Sequence, residues 1–283
     1  MFKTIRGKKT KIAPMPGVPR SLARIPKRQE AAELPGSSHD NQPGSIQRAS
    51  YSELIRDCWE APPDGEGLLA TFIAPPRYGK TRVIREFVEH ERKRGTLILA
   101  HDPKVPPQFN GITIPEATPE AILGTPTDGA NHVRRFEIDV SPDDLAALAL
   151  DFARGGNYYT QSEGIEIPKV RTCLVIDEAS HAIPKAQSFE GENLARCYTE
   201  GSSQGLTTLV GTQYPQRFPS IGYDFSQCLV IGMQARRGLP YLARSLMLPD
   251  DLIELLPTLE PGHFVMLRQA RDWNRKVYFS FRP

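Results

Sequence analysis

Long apolar runs are missing from this 283-residue chain. No stretch approaches the roughly eighteen consecutive apolar residues of a membrane span, and no apolar segment follows the early lysines as a leader would require, so neither an anchor nor a targeting peptide is expected. Cysteine is scarce as well. Cys58, Cys173, Cys197 and Cys228 show no C-x-x-C spacing, and two of them lie in apolar runs, which points to reduced core thiols and a cytosolic compartment. The six histidines include no H-E-x-x-H and no paired spacing, so no histidine-based metal site is read. An excess of one charge is also lacking: the formal net charge is +2, and no global basic field announces a nucleic-acid partner. No internal repeat is visible.

What basic charge there is collects at one end. Lys3, Arg6, Lys8, Lys9, Lys11, Arg20, Arg24, Lys27 and Arg28 face the single acid Glu30, interleaved with prolines and without apolar periodicity. Such a segment cannot bury enough to offset its chain entropy. Residues 1–47 therefore read as a basic, proline-rich tail, disordered or extended, and 48–283 as one α/β domain with enough length for a sizeable core.

The most informative junction in that domain is a strand-like run, Leu68 to Ala74, that empties into Pro75-Pro76-Arg77-Tyr78-Gly79-Lys80-Thr81. A buried strand, a tight turn and an amphipathic run from Arg82 to Arg92 supply what a phosphate-gripping loop needs: converging backbone N–H groups and a helix N-terminus whose dipole favours anions. Lys80 is placed to neutralise β- and γ-phosphate oxygens, Thr81 to offer its hydroxyl to Mg²⁺, and Gly79 to admit the phosphates close to the backbone. Ala74 stands where the first glycine of G-x-x-x-x-G-K-[ST] belongs. Pro75 and Pro76 lack N–H groups, so the donors are expected from Tyr78 through Thr81. The nucleotide-binding set is Pro76, Arg77, Tyr78, Gly79, Lys80, Thr81 and Arg82, with ATP and Mg²⁺ as cofactors.

Two further apolar runs end in polar tips. Cys173 to Ile176 delivers Asp177 and Glu178, as expected of a buried parallel strand carrying acids to its carboxyl end. Asp177 is assigned to the Mg²⁺ shell, and Glu178 to orienting or deprotonating the attacking water. Leu206 to Gly211 leads to Thr212-Gln213. The Gln213 amide is read either as a γ-phosphate sensor or as the cap of a turn before Pro215.

Around these motifs strand and helix patterns alternate. A helix from Ser50 or Ser52 to Glu60 precedes the core. Thr81 to Lys93 is a helix, Thr96 to Ala100 a strand, and Val133 to Val140 another strand. Ser141-Pro142-Asp143-Asp144 starts a helix through Arg154, with a cap, proline at N1 and acids in the first turn. A helix near Glu192 to Glu200 and an apolar run Cys228 to Met233 continue the series. This alternation predicts crossover helices covering a mainly parallel sheet on both faces. Phe264 to Arg268 and Val277 to Phe281 predict an antiparallel hairpin at the sheet's margin.

Taken together, Asp102-Pro103-Lys104 after the second core strand, Ile176-Asp177-Glu178 and Gly211-Thr212-Gln213-Tyr214-Pro215 resemble the HerA/FtsK superfamily of DNA-pumping ATPases over about Gly67 to Val230. In size the chain is most similar to genome-packaging ATPases of tailless icosahedral viruses and phages with an internal membrane. The resemblance implies a RecA-like P-loop core, a homo-oligomeric ring (hexamer or pentamer), and ATP hydrolysis coupled to movement along double-stranded DNA. It also implies a place in the host cytoplasm or at the virion packaging vertex, with a capsid vertex or portal protein as partner. Family roles carry over to Lys80, Thr81, Asp177, Glu178 and Gln213. Tyr214 departs from the arginine usual in the cell-division translocases.

On this reading ATP sits between neighbouring subunits, and an arginine reaches it from next door. Arg236 and Arg237 are the candidates, with Arg217 third. Two loops, Gly155 to Gln161 with Tyr158, and His181 to Gln187 with Lys185, are read as channel-lining or as ordinary surface. The tail is a DNA-phosphate tether, a docking strap for a capsid or portal partner, or a solubilising arm. The rival functions are an ATPase of filamentous-phage assembly or conjugative transfer, and a nucleotide-binding part of a viral vertex without turnover.

Overall fold

The computed structural model describes residues 46–59, 65–125, 132–137, 139–160, 162, 164–179, 193–218, 220–235, 238–269 and 275–280. Its strands are β1 (Ile46–Ala49), β2 (Leu69–Ile73), β3 (Leu97–His101), β4 (Ile112–Thr113), β5 (Val133–Phe136), β6 (Thr172–Ile176), β7 (Leu206–Thr212), β8 (Cys228–Ile231), β9 (Phe264–Gln269) and β10 (Arg275–Ser280). Its helices are α1 (Tyr51–Trp59), α2 (Lys80–Lys93), α3 (Pro119–Leu123), α4 (Pro142–Arg154), α5 (Asn193–Thr199), α6 (Ser220–Asp224), α7 (Leu239–Leu246) and α8 (Asp250–Leu255).

The described strands form one sheet in the order β1-β10-β9-β8-β2-β7-β6-β3-β5-β4. From β8 to β4 every pairing is parallel. β9 runs against β8 and β10, and β10 pairs in parallel with β1. A mainly parallel sheet with a carboxyl-terminal antiparallel hairpin is therefore what the chain forms. The hairpin is not at the margin, however, because β1 adds a strand outside it. Nothing in the short run Ile46 to Ala49 marks a strand by itself; its pairing with β10 makes it one.

The central strands are buried along their whole length, as parallel strands covered on two faces must be. Alternation sorts their side chains. Leu69 and Ile73 of β2, Leu174 and Ile176 of β6, and Leu229 and Ile231 of β8 join one core with Leu145, Leu148 and Phe152 of α4. Ala70, Phe72, Cys173, Val175, Cys228 and Val230 join the other, with Val83, Ile84 and Phe87 of α2 and Leu54 of α1. Phe72 and Phe87 meet edge to face at 5.1 Å between ring centres. Cys173, Cys197 and Cys228 are buried in these two cores.

The strong helix start at Ser141 forms. Its hydroxyl accepts from the Asp143 N–H at 3.2 Å, with Pro142 in the first turn. Asp143 does a second task, accepting from the Leu194 N–H at 2.9 Å and so capping α5. The strand expected over Val133 to Val140 stops at Phe136. Its partner β3 ends there, the Asp102 N–H closes on the Phe136 carbonyl at 2.8 Å, and Val140 N–H turns back to the Glu137 carbonyl. Among the described residues no helix is long and apolar enough to cross a membrane. The basic tail up to Ser45 lies outside the described residues.

Candidate nucleotide site

β2 is flanked by β8 and β7, and β7 separates it from β6. Parallel direction brings the loop after β2, the acids after β6 and Gln213 after β7 to one edge of the sheet. Residues 74–79 leave that edge with the Ala74 N–H on the Thr212 carbonyl at 3.2 Å. Arg77 and Gly79 both have positive φ, 68° and 95°. Gly79 is the residue before α2, and its left-handed backbone is one that glycine alone adopts without strain. The loop is backed from the hairpin side by the Gly262 N–H, which donates to the Tyr78 carbonyl at 3.0 Å. Tyr78 N–H itself reaches the Pro75 carbonyl at 3.4 Å, closing the turn. The N–H groups of Lys80, Thr81 and Arg82 lie in the first turn of α2, where the helix supplies no carbonyl for them.

Lys80 is 5% exposed and its ammonium lies 3.0 Å from Asp177 Oδ1 and 3.8 Å from Glu178 Oε2. It also donates to the Asp177 main-chain carbonyl. Room for this comes from Gly211 of β7: a Cβ there would stand 2.6 Å from Lys80 Nζ and 2.3 Å from that carbonyl. The Thr81 hydroxyl donates to both Asp177 oxygens, at 3.0 and 2.9 Å. Burial alone would push the Asp177 pKa up. The Lys80 charge and the Lys104 hydrogen bond outweigh it and hold the carboxyl below its ordinary value. Glu178 accepts from the main-chain N–H of Gln213 at 3.3 Å, so it is the Gln213 backbone that meets the acid. The hydroxyl of Thr81 and the carboxylate of Asp177 are hard oxygen donors already in contact. That donor set fits Mg²⁺, which takes one or two protein oxygens and keeps waters and phosphates for the rest.

Lys104 completes the cluster and has no role in the sequence reading. Its ammonium rests on Asp177 Oδ2, 73 residues away in the chain. Asp102 fixes the bend that carries it, accepting from the N–H groups of Gln108 at 2.6 Å and Phe109 at 2.9 Å. The signal was present: Asp102-Pro103-Lys104 follows β3, whose neighbour in the sheet is β6.

No protein family model matches this sequence, and no curated protein is similar to it in sequence. Solved structures do match. The genome packaging NTPase B204 from Sulfolobus turreted icosahedral virus 2, in complex with AMPPCP, superposes with TM-score 0.55 at 14% identity, covering 75% of this chain and 97% of that one. VirB4 of Thermoanaerobacter pseudethanolicus gives 0.54 at 11% identity over 76% and 89%. The bacterial conjugative coupling protein TrwB gives 0.55 at 12% identity over 82% and 91%. The chain shares its fold with these three proteins.

Within this fold the remaining candidates fall in different places. Pro76, Arg77 and Arg82 are exposed and Tyr78 is half-buried beside the loop. Arg217 lies just past Tyr214, its guanidinium 5.0 Å from that ring. Arg236, Arg237 and Lys185 lie outside the described residues. The Tyr158 loop sits at the opposite, amino edge of the sheet. Tyr159 meets Gln204, just before β7 begins, and Val170, just before β6 begins, donates to Phe152 of α4.

Proposed function

We propose that this chain is an ATPase that couples hydrolysis to movement along double-stranded DNA, working as a homo-oligomeric ring in viral genome packaging. One observation carries the reading: Lys80, Thr81, Asp177 and Glu178 converge at one sheet edge, with Lys80 and Thr81 hydrogen-bonded to the Asp177 carboxylate and Lys80 3.8 Å from that of Glu178. The likeness in fold to a packaging NTPase solved with nucleotide analogues supports it.

In this function α2's first turn and Lys80 hold the β- and γ-phosphates of ATP, and Lys80 turns from Asp177 toward them. Thr81 and Asp177 hold Mg²⁺, which when bound neutralises charge developing on the transferred phosphoryl group. Glu178 orients the attacking water or takes its proton, and its contact with the Gln213 N–H keeps it in register with β7. Gln213 senses the γ-phosphate. An arginine from the neighbouring subunit, Arg236 or Arg237 with Arg217 third, completes the charge on the far side. The basic tail tethers DNA phosphates, and the ring stands in the host cytoplasm or at the capsid vertex.

A second reading, a conjugative or filamentous-phage secretion ATPase, is favoured by the likeness to VirB4 and TrwB. Phosphate release with and without duplex DNA separates the readings. Stimulation by duplex supports packaging, turnover indifferent to duplex supports secretion, and no turnover leaves a nucleotide-binding vertex component.

A further inference from the structure

Lys104 is given no task by the chemistry above, yet its ammonium is delivered onto the acid assigned to the metal. Four side-chain charges meet there: Asp177 and Glu178 against Lys80 and Lys104. The cluster is thus balanced without any ion. Asp177 is 2% exposed, and both its oxygens are engaged, Oδ1 by Lys80 and Thr81 and Oδ2 by Thr81 and Lys104. A divalent cation added to this set leaves two surplus positive charges in a buried place, which is unfavourable unless an ammonium departs.

The two lysines differ in how easily they leave. Lys80 is buried on α2, held also by the Asp177 carbonyl and facing Glu178. Lys104 is 38% exposed and reaches in from a bend whose next residues, Val105 to Pro107, face solvent. The base of that bend is fixed. Asp102 holds Gln108 and Phe109, and Arg85 of α2 donates to the Gln108 carbonyl at 2.5 Å. The backbone therefore stays while the side chain swings.

We infer that Lys104 is a placeholder cation: it occupies the Asp177 oxygen that the divalent metal of a nucleotide takes, and it gives way when that metal arrives. It acts through Asp177 and is a positioning residue. Its consequence is that the acids bind a divalent cation weakly until nucleotide brings one in. This inference rests on the nucleotide-site reading above.

The test uses the full chain without nucleotide and Mn²⁺ as the probe, followed by the paramagnetic signal of the free ion. Lys104→Met is expected to bind Mn²⁺ at least about tenfold more tightly than the wild type, the scale on which an adjacent charge shifts a carboxylate equilibrium. Lys104→Arg keeps the charge and is expected to match the wild type. Mn²⁺ affinity unchanged or lowered in Lys104→Met overturns the proposal. A melting-temperature cycle of Lys104→Met with Asp177→Asn, also without nucleotide, is expected to be non-additive, and additivity overturns the contact itself. Neither readout needs turnover. If both results hold but ATP is never bound, Lys104 still competes with a divalent cation for Asp177, and it is the nucleotide reading that falls.

Discussion

Two of the buried aspartates, one at each edge of the sheet, are satisfied in opposite ways. Asp177, at the carboxyl edge of the sheet, is met by three side chains from two separate elements: Lys80 and Thr81 of α2, and Lys104 of the bend after β3. Asp151, fully buried near the end of α4 at the amino edge, gathers four donors, but three are main-chain N–H groups of Tyr158, Tyr159 and Thr160, at 2.8, 3.0 and 2.9 Å. The fourth is the Thr160 hydroxyl at 2.7 Å. Backbone donors cannot leave without unfolding the loop. Side-chain donors can, by rotating. A carboxylate satisfied by its own chain is a cap, whereas one satisfied by movable ammonium and hydroxyl groups is a place where partners exchange.

The largest expected effect lies on the exchanging side. Asp177→Asn should abolish ATP turnover by several orders of magnitude, since the amide holds a metal poorly, yet leave the fold intact. Lys80 keeps Glu178 at 3.8 Å, and Lys104 returns to water. Far-ultraviolet circular dichroism alongside phosphate release checks both halves. A variant that unfolds would mean that Asp177 is as structural as Asp151.

Asp151→Ala reverses the pattern. Three N–H groups and a hydroxyl lose their acceptor, for a cost of about 3 kcal/mol after partial rehydration of the loop. Urea unfolding measures that cost, while turnover per folded molecule should stay near the wild-type value. Loss of turnover in material shown to be folded would tie the amino edge to the chemistry.

How much of this was legible beforehand follows from what each feature requires. The loop after β2, the acids after β6 and the residues after β7 could be read because each is an apolar run with a polar tip, a pattern local to a dozen residues. The capping of α4 by Ser141 was local too. Lys104 was not legible as a partner of Asp177, because only the adjacency of β3 and β6 joins residues so far apart. Gly211 looked like one more strand residue until the Lys80 ammonium was seen in the space a Cβ would fill. Asp151 had no reading of its own in the helix expected through Arg154, since its function depends on a loop that folds back over the helix end. β1 and the two-residue β4 are too short for periodicity, and their partners define them.

Acid sharpens the comparison further. The folded-state pKa of Asp177 is depressed, so its stabilisation is full above the unfolded value of about 3.9 and is lost as pH falls through the lower folded value. The stability gap between wild type and Asp177→Asn, from urea unfolding, should therefore be constant from about pH 7 to 5 and shrink below about pH 4. A gap that widens on acidification would show that Lys80 and Lys104 do not set the charge state of this acid.

The smallest effect belongs to the loop that Asp151 holds. Tyr158 is 54% exposed, and the Arg154 guanidinium lies 3.9 Å from its ring centre. Such an exposed cation–π pair contributes about 0.5–1 kcal/mol, so Tyr158→Ala should lower stability by no more than that. Its position at the amino edge, across the sheet from Lys80 and Asp177, gives it no contact with the phosphate chemistry. If duplex stimulates turnover in the wild type, stimulation should persist in the variant. Loss of stimulation at unchanged basal turnover would instead return this loop to the path of the DNA, and the contrast between a fixed edge and a reactive one would have to be redrawn as two working edges of one sheet.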